Sequence, residues 1–207
     1  MPNYLRTRIP GGSYFFTLVA HNRRPLLTNG HGEYATPDYE TRHARFPLPN
    51  PPPVGEGANE SLREFHVNEN TRAALRVAVQ AVREEHPFIV EAWVLLPDHL
   101  HCLWRLPEGD ADYPVRWAKI KRLTRHHLGM SAGEKLWQPR YWEHCIRDEN
   151  DFARHADYIH WNPVKHGLVR CAADWPYSTF RRFAVAGIYP ENWGIVEGEL
   201  GDGKFGE

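Results

Sequence analysis

Two histidines stand one residue apart in residues 96–104, a run of residues that favours a β-strand. Alternate side chains of a strand point to the same face, so His99 and His101 project together. The opposite face carries the apolar residues Leu100, Cys102, Trp104 and Leu106. Two imidazoles side by side on a rigid strand can hold one metal ion. A lone His-x-His pair is more often two ordinary hydrogen-bonded histidines, so a metal site needs partners from elsewhere in the chain.

Such partners occur on a helix predicted over residues 148–162, where Asp148 is a suitable N-cap and Pro163 is expected to end the helix. At 100° per residue, a polar stripe falls within roughly 60° of arc. This stripe contains Asp151, His155, Tyr158 and Asn162. If it faces the two histidines, one site combines two imidazoles, an amide oxygen and a phenol.

That combination suits phosphodiester chemistry. A divalent metal on His99, His101 and Asn162 would polarise a phosphate oxygen. Attack by the Tyr158 oxygen on phosphorus would give a covalent phosphotyrosine and a free hydroxyl on the cleaved strand, so the step could reverse. His155, one turn before Tyr158, is a candidate for assisting proton transfer. Taken alone, a tyrosine such as Tyr158 is more often a packed helix residue with an exposed hydroxyl, and Asn162 is simply explained as a helix end before proline.

The elements that position these residues follow a simple order. Aromatic and β-branched residues predict a strand over 13–20, and apolar periodicity predicts a helix that is capped by Asn68 or Asn70 and ends near Glu85. Further elements are predicted as a strand over 88–96, the histidine strand, a helix over 114–128 and a strand over 141–146. This is the ferredoxin-like β-α-β-β-α-β plan, an α+β fold, with an added C-terminal helix. One antiparallel sheet should carry two helices on one face and the site on the other.

Length and composition predict one domain over residues 1–190 of the 207-residue chain. Residues 29–62 lack an apolar period and are expected to form a poorly ordered insertion, and residues 191–207 an acidic, Gly-rich tail. The sequence has no apolar run of about 18 residues. It has three cysteines without a CxxC pair, which indicates reduced thiols in a cytoplasmic protein.

Charge is unevenly distributed. The net charge is −1, yet residues 31–64 and 191–207 are acidic, so the remainder is basic and suits a polyanionic partner. The densest basic cluster lies on the helix predicted over 114–128, opposite its apolar face. Its residues are Lys119, Lys121, Arg122 and Arg125, and Arg6 and Arg8 are further candidates for DNA contact. A basic helix face is as often simply solvated, so both interpretations of this cluster stay open.

Four separate stretches resemble one known family. They are GGSYFFT at 11–17, AWVLLPDHLH at 92–101, WQPRYWEH at 137–144 and DYIHWNPVK at 157–165. Together they resemble the REP-associated tyrosine transposases, relatives of the insertion-sequence transposases of the single-tyrosine HUH class. The resemblance implies a Mg²⁺- or Mn²⁺-dependent single-stranded DNA endonuclease and strand transferase acting on palindromic repeats that fold as hairpins. It implies His99 and His101 as the HUH pair, Tyr158 as the nucleophile that forms a 5′-phosphotyrosine, and Asn162 at the position of a carboxamide ligand.

Two other functions fit parts of the sequence. A ferredoxin-like sheet can bind single-stranded nucleic acid by stacking and charge without any chemistry. The aromatic candidates for such stacking are Tyr14, Phe16, Trp104, Trp117 and Trp142. A hydrolase using metal-bound water would cleave DNA without a covalent intermediate. Metal-dependent cleavage and the covalent adduct separate these alternatives. A monomer is slightly favoured over a dimer.

Overall fold

The computed structural model describes residues 7–25, 28–29, 66–67, 69–190 and 192–195. The strands in these residues are β1 (Ser13–Val19), β2 (Thr28–Asn29), β3 (His66–Val67), β4 (Ile89–Leu95), β5 (His99–Arg105) and β6 (Trp142–Cys145). Of these six strands, β1, β4, β5 and β6 form one antiparallel sheet. The helices are α1 (Glu69–Glu85), α2 (Tyr113–His127), α3 (Glu149–Lys165) and α4 (Phe180–Val185). β2 and β3 pair only with each other.

The strand order in the sheet is β4-β5-β1-β6. Every pairing within it is antiparallel, and β5 lies between β4 and β1. With α1 between β1 and β4 and α2 between β5 and β6, this is the predicted ferredoxin-like plan. The prediction of an α+β fold with an added helix after the last strand is therefore confirmed.

The two faces of the sheet carry different elements. On one face, α1 and α2 pack over the side chains of β1 and β5 that alternate inward. This core includes Phe16, Leu100, Cys102, Trp104 and Trp117. On the other face, α3 and the chain after it pack over Phe15, Val94 and Leu103. His99 and His101 share the face of Leu103, so they point toward α3, as the alternation predicted.

The third helix is longer than predicted. The expectation that it ends at Asn162 is wrong, because α3 continues through Pro163 to Lys165. Proline removes one backbone donor, but the last turn is stabilised by burial of Pro163 and Val164. The backbone N–H of His166 still donates to the carbonyl of Asn162 at 3.0 Å. At the other end, Asp148 accepts a hydrogen bond from the backbone N–H of Asp151 at 2.8 Å, which confirms the predicted cap.

Other expectations meet the structure only in part. The helix α1 begins at Glu69, so Asn70 lies inside it rather than at its cap, and Asn68 lies outside the described residues. Most of the predicted insertion at 29–62 and most of the tail at 191–207 also lie outside them. The three cysteines are free thiols. Among the described residues, no helix is both long and apolar enough to cross a membrane.

Candidate active site

His99 and His101 are held at the centre of the site by hydrogen bonds to one nitrogen of each ring. Nδ1 of His99 lies 2.6 Å from Oδ1 of Asp98, and Nδ1 of His101 lies 2.8 Å from Oγ1 of Thr17 on β1. Both rings are nearly buried, and their centroids are 4.8 Å apart. Nε2 of His101 is buried with no hydrogen-bond partner in the protein. Each ring is thus oriented through Nδ1, as metal-binding histidines commonly are.

Burial and neighbouring charges set the protonation of this pair. Burial, followed by the nearby His99 and His166, holds the pKa of His101 well below its usual value, so its ring is neutral. Burial alone would raise the pKa of Asp98, but the hydrogen bond and charge of His99, with help from Arg23, lower it overall. A neutral imidazole whose Nδ1 donates a hydrogen bond presents a lone pair at Nε2.

The helix α3 brings the tyrosine to the histidines. The ring centroid of Tyr158 lies 5.2 Å from that of His101 and 6.0 Å from that of Phe15. Asn162, one turn later, is completely buried and donates from Nδ2 to the carbonyl of Tyr158 at 3.4 Å. Its Oδ1 is buried without a hydrogen-bond partner. His101, Tyr158 and the strand β1 therefore meet in one place, with Asn162 on the adjacent turn of the same helix.

Two residues of this site were missed by the sequence analysis, and both follow Pro163. Nζ of Lys165 lies 5.1 Å from the centroid of the Tyr158 ring, and burial lowers the pKa of this lysine. The ring of His166 lies 5.4 Å from that of His99, and burial lowers the pKa of His166 to about 4. Lys165 lies seven residues after Tyr158, and His166 four after Asn162. Extending the helical spacing past Pro163 would have placed both on the polar stripe.

The residues present fit a divalent metal ion. Buried polar atoms in proteins are normally paired, and unpaired ones point to a partner that the protein itself does not supply. Here Nε2 of His101 and Oδ1 of Asn162 are both such atoms. Imidazole nitrogen and amide oxygen are both established ligands of divalent ions.

His155 belongs to a second cluster beside the tyrosine. The ligand atoms of His144, Asp151 and His155 lie within 4.8 Å of one another, which is compatible with a metal ion. The Asp151 carboxylate already accepts hydrogen bonds from His144 Nε2 at 2.8 Å and from Arg147 Nε at 3.1 Å. These bonds outweigh burial and hold the pKa of Asp151 far below its usual value. The cluster is therefore already hydrogen-bonded within the protein, and the contact of His144 with Asp151 ties the start of α3 to β6.

Aromatic rings extend the site toward the sheet edge. Of the five aromatic residues proposed for stacking, four are completely buried in the core, namely Tyr14, Phe16, Trp104 and Trp117. Trp142 is 44% exposed and lies on the edge strand β6, with its ring 5.6 Å from that of Phe15. Only Trp142 of these five can offer a ring to a nucleic-acid base.

The predicted basic cluster on α2 does not join the site. It lies on the helix layer that covers the opposite face of the sheet. Lys119 pairs with Glu85, Lys121 donates to the carbonyl of Gln138 at 2.8 Å, and Arg125 donates to the carbonyl of Ser131 at 2.8 Å. Arg122 is exposed. Arg8 is also exposed, whereas Arg6 lies outside the described residues.

Comparison with known proteins gives a consistent result. The chain is 38% identical to a REP-associated tyrosine transposase of Escherichia coli K12, over 100% of this chain and 98% of that protein. It is 36% identical over 205 residues to a Haemophilus influenzae protein that carries the same family name, with 94% of each chain covered. A solved structure of a REP-associated tyrosine transposase bound to a REP hairpin matches it with a TM-score of 0.69 and 35% identity, covering 99% of this chain and 98% of that one. No family model matches the chain.

Proposed function

Because this chain belongs to the REP-associated tyrosine transposases, we propose that it cleaves and rejoins single-stranded DNA beside hairpin-forming repeats, with Tyr158 as its nucleophile. The observation that carries this assignment is the Tyr158 ring, 5.2 Å from the ring of His101. A binding module has no need of such an arrangement, and a hydrolase that uses metal-bound water has no need of the tyrosine.

In the proposed reaction, Oη of Tyr158 attacks the scissile phosphorus. The new bond is Oη–P, and the bond that breaks joins phosphorus to the 3′ oxygen of the preceding nucleotide. The phenol gives up its proton, and the departing 3′ oxygen gains one and becomes a hydroxyl. The product is a 5′-phosphotyrosine, which retains the ester energy, so that attack by a 3′ hydroxyl in the reverse direction joins strands.

The side chains around Tyr158 support this step. The Lys165 ammonium over the tyrosine ring stabilises negative charge as it develops on the phenolic oxygen. Burial is the largest cause that lowers the pKa of His155, which leaves this ring neutral and able to accept a proton. His155 contacts Phe15, with ring centroids 4.8 Å apart, and lies one turn before the tyrosine. We assign it the role of an assisting base.

His99, His101 and Asn162 are the residues that would hold the metal, which we propose to be Mg²⁺ or Mn²⁺. When bound, the metal supplies Lewis-acid stabilisation of charge on the phosphate oxygens. Thr17 and Asp98 hold the two rings in the orientation that leaves each Nε2 for binding. We also propose that the protein works in the cytoplasm, where reduced thiols and chromosomal DNA occur together.

The test is formation of the covalent adduct. Wild-type protein, a labelled single-stranded DNA carrying a repeat hairpin and Mn²⁺ should give a protein–DNA band that survives denaturation. Tyr158→Phe should keep the fold and metal binding but form no adduct, and His99→Ala or His101→Ala should abolish metal-dependent cleavage while hairpin binding remains. If Tyr158→Phe still cleaves at the wild-type rate without an adduct, the water-using hydrolase is the correct assignment. An adduct that maps to another tyrosine would show that Tyr158 is not the nucleophile.

A further inference from the structure

A groove lined by four arginines lies at the β4 edge of the sheet, away from Tyr158. It has a volume of about 630 Å³ and runs between α1 and the segment that leads into α4. Its cationic residues are Arg72, Arg76, Arg83 and Arg182. The lining residues are all within the described part of the chain, and none of them is Asp or Glu. The groove is therefore strongly basic in a chain whose net charge is −1.

Three of these arginines form one stripe on α1. Arg76 follows Arg72 by four residues, and Arg83 follows Arg76 by seven. At 100° per residue the three side chains leave the helix within about 40° of arc. They rise along the helix over roughly 16 Å at 1.5 Å per residue. Arg182 on α4 supplies the fourth guanidinium from the facing wall.

Several of these guanidinium groups are oriented without losing their charge. Arg83 donates from Nε to the carbonyl of Phe88 at 3.1 Å, and Arg182 donates to the carbonyls of Val90 and Glu91. Carbonyl oxygens are neutral acceptors, so they fix the side chain without neutralising it. Arg72 lies over the ring of Tyr177 at 5.9 Å, and Arg76 is exposed. Arginines held in this way are suited to phosphate oxygens.

We propose that this groove binds the sugar-phosphate backbone of the hairpin stem, an inference that rests on the proposed function. A regular spacing of phosphates complements a row of guanidinium groups, and such contacts position DNA without reading its sequence. Glu84 follows Arg83 directly on α1, but it accepts a hydrogen bond from Gln80 at 3.1 Å and does not line the groove. Charge complementarity therefore favours a polyanion over a peptide or a small neutral ligand.

The position of the groove fits a stem whose flanking strand reaches the tyrosine. Leu95 lines the groove and is the cross-strand partner of Leu100, the residue after His99. Antiparallel partners lie about 5 Å apart. The groove thus ends at the same end of the β4–β5 hairpin as the histidines. A stem held here leaves its single strand free to cross the sheet edge toward Tyr158.

The salt dependence of binding tests this proposal. The probe is a synthetic DNA hairpin with a single-stranded flank, compared with the flank alone, titrated by fluorescence anisotropy at several NaCl concentrations. Replacing all four arginines by glutamine should weaken hairpin binding at least about tenfold and flatten the slope of log K against log [salt] by about 3.6. Binding of the flank alone should change little. The single variant Arg76→Gln removes an exposed charge and should flatten the slope by about 0.9 without disturbing the fold.

A control variant removes four positive charges from α2, as the groove variant removes four from α1 and α4. Replacing Lys119, Lys121, Arg122 and Arg125 by glutamine should affect hairpin binding less than the groove variant does. An equal loss in both would mean that only net charge matters, and an unchanged slope in the groove variant would remove this surface from the DNA contact. Formation of the covalent adduct by the wild-type protein is measured in a separate experiment. If that adduct forms while the groove variant binds normally, the groove proposal fails and the tyrosine chemistry stands.

Discussion

Oγ1 of Thr17 lies 2.8 Å from Nδ1 of His101, across the pairing of β1 with β5. The two residues are direct cross-strand partners, so the sheet itself fixes this contact. When Nδ1 donates its proton to the hydroxyl, the lone pair of His101 lies on the buried Nε2. The contact with Thr17 is thus compatible with the tautomer that can bind a metal, and it fixes the orientation of the ring.

Thr17→Val removes this acceptor at nearly constant volume and should lower the affinity for Mn²⁺ by about 10- to 100-fold, the usual effect of losing a partner of a ligating histidine. Thr17→Ser keeps the hydroxyl and should bind Mn²⁺ almost as the wild type does. Isothermal titration calorimetry without DNA measures both values, and thermal melting checks the fold. Equal Mn²⁺ affinity in the valine variant would show that Thr17 does not orient His101.

Asn162 leads to a different expectation, because the atom that we propose as its ligand is a neutral oxygen. Asn162→Ala should reduce cleavage less than either histidine substitution does, and higher Mn²⁺ should restore part of the lost rate, since water can replace an amide oxygen. Asn162→Asp keeps an oxygen at this position and serves as the matched variant. Cleavage measured over a range of Mn²⁺ concentrations gives the result. A defect in Asn162→Ala that no Mn²⁺ concentration relieves would mean that Asn162 acts by packing alone.

The sequence predicted those parts of the site that depend on local periodicity. The alternation of apolar and polar residues in β5 placed His99 and His101 on the face opposite Leu100 and Cys102, and the structure has them there. The placement of Tyr158 and Asn162 on one side of α3 could be predicted from the geometry of a single helix. The order of strands and helices was also sufficient to predict the sheet, because a β-α-β-β-α-β chain has few ways to pair antiparallel.

Features that depend on tertiary contacts were not predictable in this way. The pairing of Thr17 with His101 depends on the register between strands that are 84 residues apart. The position of Lys165 over the Tyr158 ring was missed because Pro163 was expected to end the helix, whereas burial of the last turn outweighs one lost hydrogen bond. The basic cluster on α2 is visible in the sequence because its four residues lie within seven positions. The arginine groove draws its charges from α1 and α4, which are distant in sequence and adjacent only in the fold.

Trp142 offers a stacking surface at the edge of the site. Its ring is 44% exposed, and Phe15 contacts both it and His101, with ring centroids 5.6 Å from Trp142 and 5.4 Å from His101. Trp142→Ala should weaken binding of the single-stranded flank by about 1–3 kcal/mol, the usual contribution of a base stacked on an aromatic side chain. Trp142→Phe should retain most of the affinity. Unchanged binding of the flank by the alanine variant would exclude stacking here.

The pairing of β2 with β3 suggests how residues 31–60 can be removed. Asn29 and His66 are antiparallel partners, so the two ends of the intervening segment lie side by side. Deleting 31–60 leaves residue 30 and residues 61–65 to join them, and a loop of this length can close such a pair. The deletion variant should melt within a few degrees of the wild type in differential scanning calorimetry. A large drop in melting temperature would show that the segment contributes to the core.

The buried His160 should make folding sensitive to acid. Its Nε2 shares a hydrogen bond with Thr179 Oγ1 at 2.8 Å, its Nδ1 lies 3.2 Å from the Tyr189 hydroxyl, and burial lowers its pKa to about 3. An unfolded histidine titrates near ~6.5, so below that pH the unfolded chain binds more protons than the folded one. The contribution of His160 to stability is therefore complete above about pH 6.5 and is lost as the pH falls toward about 3.

Each pH unit in this window costs up to about 1.4 kcal/mol, so that at pH 4.5 about 2–3 kcal/mol should be lost through His160. Replacement of His160 by glutamine keeps hydrogen-bonding groups in place and removes the titration. Urea unfolding of both proteins at pH 7 and pH 4.5 measures the difference. His166, whose pKa is about 4, adds a loss that both proteins share. The free energy of unfolding should therefore fall less on acidification in His160→Gln than in the wild type, and an equal fall in the two would show that His160 is protonated in the folded protein at pH 4.5.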